Sequence, residues 1–470
     1  MTPFDEPHES LESLESLESL ETQDEPQELL ADAPPSQAPS RQQHTLNRPA
    51  WLTWPKPMPS LRSLGQLIRR YRLSLPSLIV NKPHGTQTKR RFLRRRWWIA
   101  GVTSLLVTAL LASQLNGDFG AWLAVVSRAV LGPQRTAQIE SWFLTVEDGI
   151  HQAQYHLLGQ KGAAPWAPSV VTPGVHLSQK SHALQVMPLP VIAPLTQPAL
   201  PGAGIWTTVG LPPPATGQPP FVAKTFLQPD PARPYAVVTL LQFDLRAVAL
   251  HLVSGTTEPG GPLGHYGPGV TSVSDRQGNT LVAVFNGGYK YADGQYGLMT
   301  NGVVYVPPVP GVATLAITGQ GQVFLGVWGQ DPRLSLANPD LVAWRQNGAL
   351  LIDHGQLNPL TNDGAAWGAV YLNRAYTWRS AIGLTDHGTL LYAAGDSLSA
   401  ATLGKALQAA GAVMAIQTDI NPKWVRAFTY QRSTTGLLQV AKLDPGMQGT
   451  GDEYFQSQGY SRDFFYVLRR

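Results

Sequence analysis

The chain has 470 residues, more than one compact domain ordinarily uses, with 35 Lys and Arg against 31 Asp and Glu and no cysteine. A net charge of +4 is too small to make nucleic acid the partner of the whole chain, and the absence of cysteine excludes a disulfide scaffold, a Cys-ligated zinc or iron–sulfur centre and a cysteine nucleophile. Charged residues make up 14%, below the about 25% of an average soluble protein, while 45 Gly and 40 Pro point to turns and linkers.

Residues 1–88 read as a disordered cytoplasmic tail of two opposite halves. Up to residue 32 there are 11 carboxylates and no Lys or Arg, with Glu-Ser-Leu repeated 4 times over residues 9–20. From Pro34 to Arg96 there are 14 Lys or Arg and no Asp or Glu. Neither half has the apolar content to form a core, although Ser60 to Val80 could lie as an amphipathic helix on an anionic leaflet.

Residues 89–117 read as a basic flank and a transmembrane helix. Trp97 to Gly117 is 21 residues without a formal charge, close to the ~20 that cross a hydrocarbon core. Lys89, Arg90, Arg91, Arg94, Arg95 and Arg96 stand just before it, which holds that side in the cytoplasm. So long a preceding segment argues for an uncleaved anchor over a signal peptide. The expected localisation is the cell membrane, single-pass, with the N-terminus cytoplasmic and the C-terminal domain outside. Residues 118–160 form a membrane-proximal helical segment, with Ile139, Trp142, Phe143, Val146 and Ile150 at helical spacing. Residues 161–222 hold 13 prolines and read as an extended Pro-rich linker.

From residue 223 to 470 the texture changes to short β-rich runs between Gly turns, such as YAVVTLLQFD, TLVAVFNGG and TLLYAAG. The expected class is α+β, a β-rich mixed-sheet domain with few helices. One helix stands out: Ser399 caps it, Leu403, Ala406, Leu407 and Ala410 make its apolar stripe, and Gly411 closes it. The strand AVMAIQTD follows and ends at Asp419.

Gly395-Asp396-Ser397-Leu398 after an apolar run spells the nucleophile block of GDSL lipases and esterases. That chemistry needs a histidine base after the serine, and the last histidine here is His387. Ser397 or Ser399 is read instead as a helix N-cap. No H-E-x-x-H occurs, and His251, His265, His354 and His387 are isolated.

Phe285-Asn286-Gly287-Gly288-Tyr289, then Gly302 to Pro307, then Arg379-Ser380-Ala381-Ile382-Gly383, then the helix, then Ala415 to Trp424 follow one another in an order that resembles the phosphodiester glycosidase family, over roughly Tyr235 to Tyr430. The resemblance implies hydrolysis of a sugar joined through its anomeric oxygen to a phosphodiester. Outside a membrane it implies a phosphodiester-linked glycan of the cell envelope as substrate. Three features depart from the family pattern: Ile420-Asn421-Pro422-Lys423-Trp424 replaces a run of glycines after the Asp, polar Thr418 occupies a position usually apolar, and Lys290 follows Tyr289 where a second aromatic is common.

Phosphate is a good leaving group, so handling its charge matters more than protonating it. Asp419 is then the expected nucleophile or base, Arg379 a bidentate phosphate fork, and Glu258 a candidate second carboxylate. Asn286 with the amides of Gly287 and Gly288 is the expected donor nest, and Asn421 and Trp424 are expected substrate contacts. Each also has a structural use: Asp419 in an Asx-turn, Arg379 as an internal partner, Asn286-Gly287-Gly288 as a turn, Glu258 as a solvated loop residue. No cofactor is implied, and a divalent metal is left open. Besides the enzyme, the sequence allows a non-catalytic module that binds anionic cell-wall polysaccharide.

Overall fold

The computed structural model describes residues 145–146, 148–157, 162–167, 186–260, 263–278, 280–363, 367 and 376–470. The tail at 1–88, the flank and membrane helix at 89–117 and most of 118–160 lie outside the described residues. Among the described residues no helix is long and apolar enough to cross a membrane.

The apolar runs of the C-terminal half become strands because each can bury both, or one, of its alternating faces. In chain order they are β1 (Val222–Leu227), β2 (Val238–Asp244), β3 (Val248–Val253), β4 (Leu281–Asn286), β5 (Leu298–Thr300), β6 (Val303–Val306), β7 (Ala313–Thr318), β8 (Val323–Val327) and β9 (Leu341–Gln346). They continue with β10 (Leu350–Asp353), β11 (Gln356–Leu357), β12 (Thr377–Thr385), β13 (Thr389–Leu398), β14 (Ala412–Asp419), β15 (Ala427–Arg432), β16 (Leu438–Lys442) and β17 (Phe464–Arg469). Among the described residues two α-helices lie between these strands, α1 (Val273–Gln277) and α2 (Ala400–Ala409).

Three sheets result, ordered β1-β2-β13-β12-β14-β10-β11, β16-β15-β4-β17-β3 and β6-β5-β9-β7-β8. The expectation of a mixed sheet is corrected here, since neighbouring strands in all three sheets pair antiparallel. The long connection through α2 is the kind that elsewhere joins parallel neighbours. Here β12 lies between the two strands that α2 joins, and it runs antiparallel to both.

β13 shows how one strand builds two cores. Leu390, Tyr392 and Ala394 face the five-stranded β4–β17 sheet, where the Tyr392 ring stacks on Phe285 at 4.6 Å. Leu391 and Ala393 face the opposite way, onto Leu403, Ala406 and Leu407 of α2. α2 begins as the sequence predicts: Ser399 Oγ accepts from Thr402 N and the Thr402 hydroxyl accepts from Ser399 N, a reciprocal cap. Ser397 is not the cap; it is the penultimate residue of β13, with φ 57°, and its Oγ lies 3.3 Å from His151 Nδ1.

The segment expected as an extended linker differs over residues 186–222, which lie on the domain. Met187, Ile192, Leu211 and Phe221 are buried, Ile192 N donates to Gly204 O, and Thr207 bridges to Lys224 of β1. Its prolines remove donors without preventing burial, because apolar residues stand between them. The helix at 148–157 also touches the domain, through an ion pair between Asp148 and Arg233 at 2.8 Å. The apolar stripe expected there does not face the domain at Ile150, which is 45% exposed; the buried residue is Asp148.

Candidate active site

Four chain segments meet where the seven-stranded sheet faces β4. The last residue of β4, Asn286, is buried and fully engaged: its Nδ2 donates to Ser380 Oγ of β12 and Thr418 Oγ1 of β14, and its Oδ1 accepts from the Tyr392 hydroxyl of β13 at 2.7 Å. Asn286 thus ties the two sheets together and is not a free donor for substrate. The expected nest is corrected on the same ground. Gly287 N donates to the Asp463 carbonyl at 3.0 Å and Gly288 N to Asp463 Oδ2 at 2.9 Å, so both amides are occupied by the protein.

Glycine is required at these two positions by close approach. A Cβ on Gly287 would stand 1.9 Å from Asp463 Oδ2, and one on Gly288 would stand 2.6 Å from Arg345 Cζ. Those two side chains form a buried ion pair, Arg345 Nε to Asp463 Oδ2 at 2.8 Å, with Arg345 Nη1 donating further to Gln346 O. The pair packs directly against the Gly-Gly turn, and Asp463 accepts from the Gly288 amide.

Asp419 ends β14 with its side chain buried. Its Oδ2 accepts from Arg462 Nη2 at 2.8 Å and its Oδ1 from the Ile420 amide at 2.8 Å. Burial pushes its pKa from the ordinary 3.8 up to about 6, against the pull of Arg462 and the Ile420 N–H. Arg462 in turn is opposed by burial yet held above its usual range by Asp419 and Asp463. Glu258 also acts on Arg462 electrostatically, and its Oε2 accepts from the Tyr291 amide at 2.9 Å, which places the second expected carboxylate beside the first ion pair.

Arg379 is brought near but does not reach out. It is 1% exposed, its Nε donates to Leu398 O, and its Nη1 donates to Trp367 O and Gln417 Oε1, each at 2.9 Å. The phosphate fork expected of it is therefore corrected: the guanidinium closes the end of β13 and braces Gln417, which donates onward to the Tyr289 hydroxyl. Burial pulls its pKa down to about 10, leaving it charged near neutrality.

Asn421 is exposed and makes an Asx-turn, its Oδ1 accepting from Lys423 N at 2.8 Å. That turn presents Trp424, half-buried, with Arg462 Cζ 4.7 Å, Lys423 Nζ 5.0 Å and Lys290 Nζ 5.3 Å from its ring centre. Sequence reasoning missed Arg345, Arg462 and Asp463. The only signal for the last two was a charged dipeptide set immediately before the apolar run of β17. Among the described residues no group of three or more His, Asp or Glu side chains is arranged to hold a metal ion.

Residues 279–419 match the family model of the phosphodiester glycosidases. No curated protein sequence matches the chain. Among solved structures, the zebrafish N-acetylglucosamine-1-phosphodiester α-N-acetylglucosaminidase catalytic domain, auto-inhibited by its pro-peptide, is 17% identical, with a TM-score of 0.35 over 55% of this chain and 87% of that one. A hypothetical protein from Synechocystis is 14% identical, with a TM-score of 0.31 over 50% of this chain and 59% of that one. The matched segment contains the Asn286-Gly287-Gly288 turn, all of β12, β13 and α2, and ends on Asp419. Residues 279–419 are thus the part of the chain that is similar to the phosphodiester glycosidases.

Proposed function

We propose that the domain hydrolyses the bond between the anomeric carbon of a sugar and a phosphodiester, with Asp419 as the carboxylate that acts at that carbon. The observation that carries this reading is the place of Asp419: 5% exposed and ion-paired to Arg462, where burial pushes its pKa up to about 6. A carboxylate with that affinity for protons is a stronger base than a solvated one and is still largely ionised at neutral pH. Arg462 orients it through Oδ2 and leaves Oδ1, bonded only to the Ile420 amide, on the side of the turn. Glu258, which also acts on Arg462 electrostatically, is the second carboxylate for the proton that attacking water must lose. The departing phosphate needs little protonation, which agrees with the absence of a histidine from this group.

The finer setting follows from the sequence. The apolar run at 97–117 and its six-cation flank support a membrane anchor with the domain outside, and hence a phosphodiester-linked glycan of the envelope or extracellular matrix as substrate. Incubating the full chain with a sugar 1-phosphodiester should release free reducing sugar, and Asp419→Asn should not. Binding of the substrate with no release by the unaltered chain would leave only the binding-module reading. Protease added to intact cells should remove the C-terminal domain; full protection of that domain would remove the envelope substrate from the reading.

A further inference from the structure

β15 pairs with β4 only from Ala427 to Thr429, although β15 runs on to Arg432 and β4 begins at Leu281. Where that ladder ends there is a cavity of about 250 Å³, lined by Leu281 and Val282 of one strand and Gln431 and Arg432 of the other. It stands at the opposite end of β4 from Asn286, about 17 Å along the strand at ~3.4 Å per residue. Pro212, Pro213 and Pro214 also line it; their fixed φ stiffens that wall, and their missing N–H groups leave it without main-chain donors. The donors come from side chains instead. The Arg469 guanidinium is half-buried, 5.6 Å from the centre of the Phe221 ring, and among the described residues it has no hydrogen-bond acceptor and no carboxylate partner. The Thr280 hydroxyl, also on the lining, has no partner among the described residues. Arg432 adds a second cation, held in place as Nη1 donates to Gly436 O at 2.8 Å and Nη2 to Arg276 O at 2.9 Å. Among the described residues no Asp or Glu lines the cavity.

We propose that this cavity binds a phosphomonoester, its oxygens accepting from the Arg469 guanidinium and the Thr280 hydroxyl, with the Arg432 charge in the wall. A guanidinium presents paired N–H donors whose spacing matches a phosphate. Two cations and no carboxylate suit a group that carries about −1.5 to −2 near neutrality better than a carboxylate of single charge. The volume is below the about 300 Å³ at which sites for larger ligands begin, so the cavity accommodates one phosphorylated sugar residue and not a stretch of polymer. Hydrolysis of a sugar 1-phosphodiester by water gives a free sugar and a phosphomonoester. The ligand is therefore that product, its phosphate at the end of the remaining glycan, or a free sugar phosphate; the two have the same chemistry here. The first source rests on the proposed hydrolysis, and the site itself does not.

Calorimetry measures binding of N-acetylglucosamine 6-phosphate to the full chain, solubilised in detergent, and to Arg469→Gln, Thr280→Val and a control at an exposed lysine of α2, Lys405→Gln. Arg469→Gln should weaken binding about tenfold or more and Thr280→Val about threefold, with Lys405→Gln within about twofold of the unaltered chain. Glucuronate, a sugar with a single carboxylate, should bind the unaltered chain about tenfold more weakly or worse. Melting curves check folding; Thr280→Val keeps the shape of its side chain, so the site can be read even if Arg469→Gln does not fold. A disaccharide phosphorylated on its terminal sugar separates the sources: binding as tight as that of the monosaccharide assigns the cavity to a glycan end, and binding about tenfold weaker assigns it to a free sugar phosphate, and either upholds it. No binding by the unaltered chain, unchanged affinity in the folded site variants, equal loss in Lys405→Gln, or glucuronate bound as tightly would overturn the proposal whether or not the chain releases sugar. Sugar release should stay within about twofold in both site variants, and a tenfold fall in folded Arg469→Gln would overturn a seat separate from Asp419. Weakened binding confined to the site variants would uphold it even if no sugar were released.

Discussion

Replacing Asp419 with Asn keeps the shape of the side chain and the oxygen that accepts from the Ile420 amide, and removes the charge. The fold resists that charge. With a pKa raised from 3.8 to about 6, ionised Asp419 lowers the stability of the native state by about 3 kcal/mol, at about 1.4 kcal/mol for each tenfold change in proton affinity. The attraction of Arg462 is already contained in that figure, so the ion pair does not fully offset burial. Below pH 3.8 both folded and unfolded chains hold the proton and the penalty vanishes. Between 3.8 and about 6 only the folded chain keeps it, so stability falls as pH rises; above about 6 the whole penalty is present.

Asparagine resembles the protonated acid at every pH. Asp419→Asn should therefore melt like the unaltered chain near pH 3.5 and more stably at pH 7, by up to about 3 kcal/mol or about 6 to 12 °C for a domain of this size. Turnover should fall about 10²- to 10⁴-fold, and activity of the unaltered chain should decline as pH drops through about 6. Melting curves at several pH values, run beside reducing-sugar release, read both effects. An Asn variant that turns over at the original rate would refute the catalytic role, and one that melts lower at pH 7 would refute the electrostatic account.

Arg379→Lys should lower stability by about 2 to 4 kcal/mol, because one ammonium cannot serve Leu398 O, Trp367 O and Gln417 Oε1 together, while turnover per folded molecule stays within a few-fold; a large fall in turnover at unchanged melting would restore the phosphate fork. Gly287→Ala should destabilise by about 3 to 5 kcal/mol in thermal melts, since the new Cβ displaces Asp463 from Arg345. Ser399→Ala should cost about 0.5 to 2 kcal/mol through the lost cap, whereas Ser397→Ala should leave hydrolysis intact; an inactive, folded Ser397→Ala would point to a serine nucleophile paired with His151. Arg233→Ala should speed limited proteolysis within residues 148–157 without changing the melting of the domain, because it frees Asp148.

Where local rules decide, the sequence was legible. Ser399, the stripe Leu403, Ala406 and Leu407, and Gly411 at φ 90° specify α2 within one stretch of chain, and the uninterrupted apolar run of β13 announces burial on both faces. Sheet direction was not legible, because it depends on which strand lies between β13 and β14 and not on either strand. Nor were the ion pairs. Asp419 meets Arg462 across 43 positions and Arg345 meets Asp463 across 118, and no local pattern marks such partners. The Gly287-Gly288 pair was visible as a turn, but the reason for it, two charged side chains passing under the backbone, lies entirely in the long-range pairing.

Arg379 and Arg462 show why residue type alone misassigns a charge. Both are arginines on the border of the same site, and Arg379 sits in the more recognisable motif. Arg379 is buried at the inner end of the sheet, where it donates to Leu398 O and Trp367 O. Arg462 shares one nitrogen between Asp419 and Gly288, keeps Nε–H without an acceptor, and lies against the half-buried ring where two lysines also converge. Arg462 thus touches both the carboxylate of Asp419 and the ring of Trp424. A reaction that moves electrons from a carboxylate or its activated water, through an anomeric carbon, onto a departing phosphate is stabilised by fixed positive charge near that phosphate. The carboxylate chemistry proposed at Asp419 therefore depends on Arg462, whose guanidinium pairs with that carboxylate and lies against Trp424, rather than on Arg379.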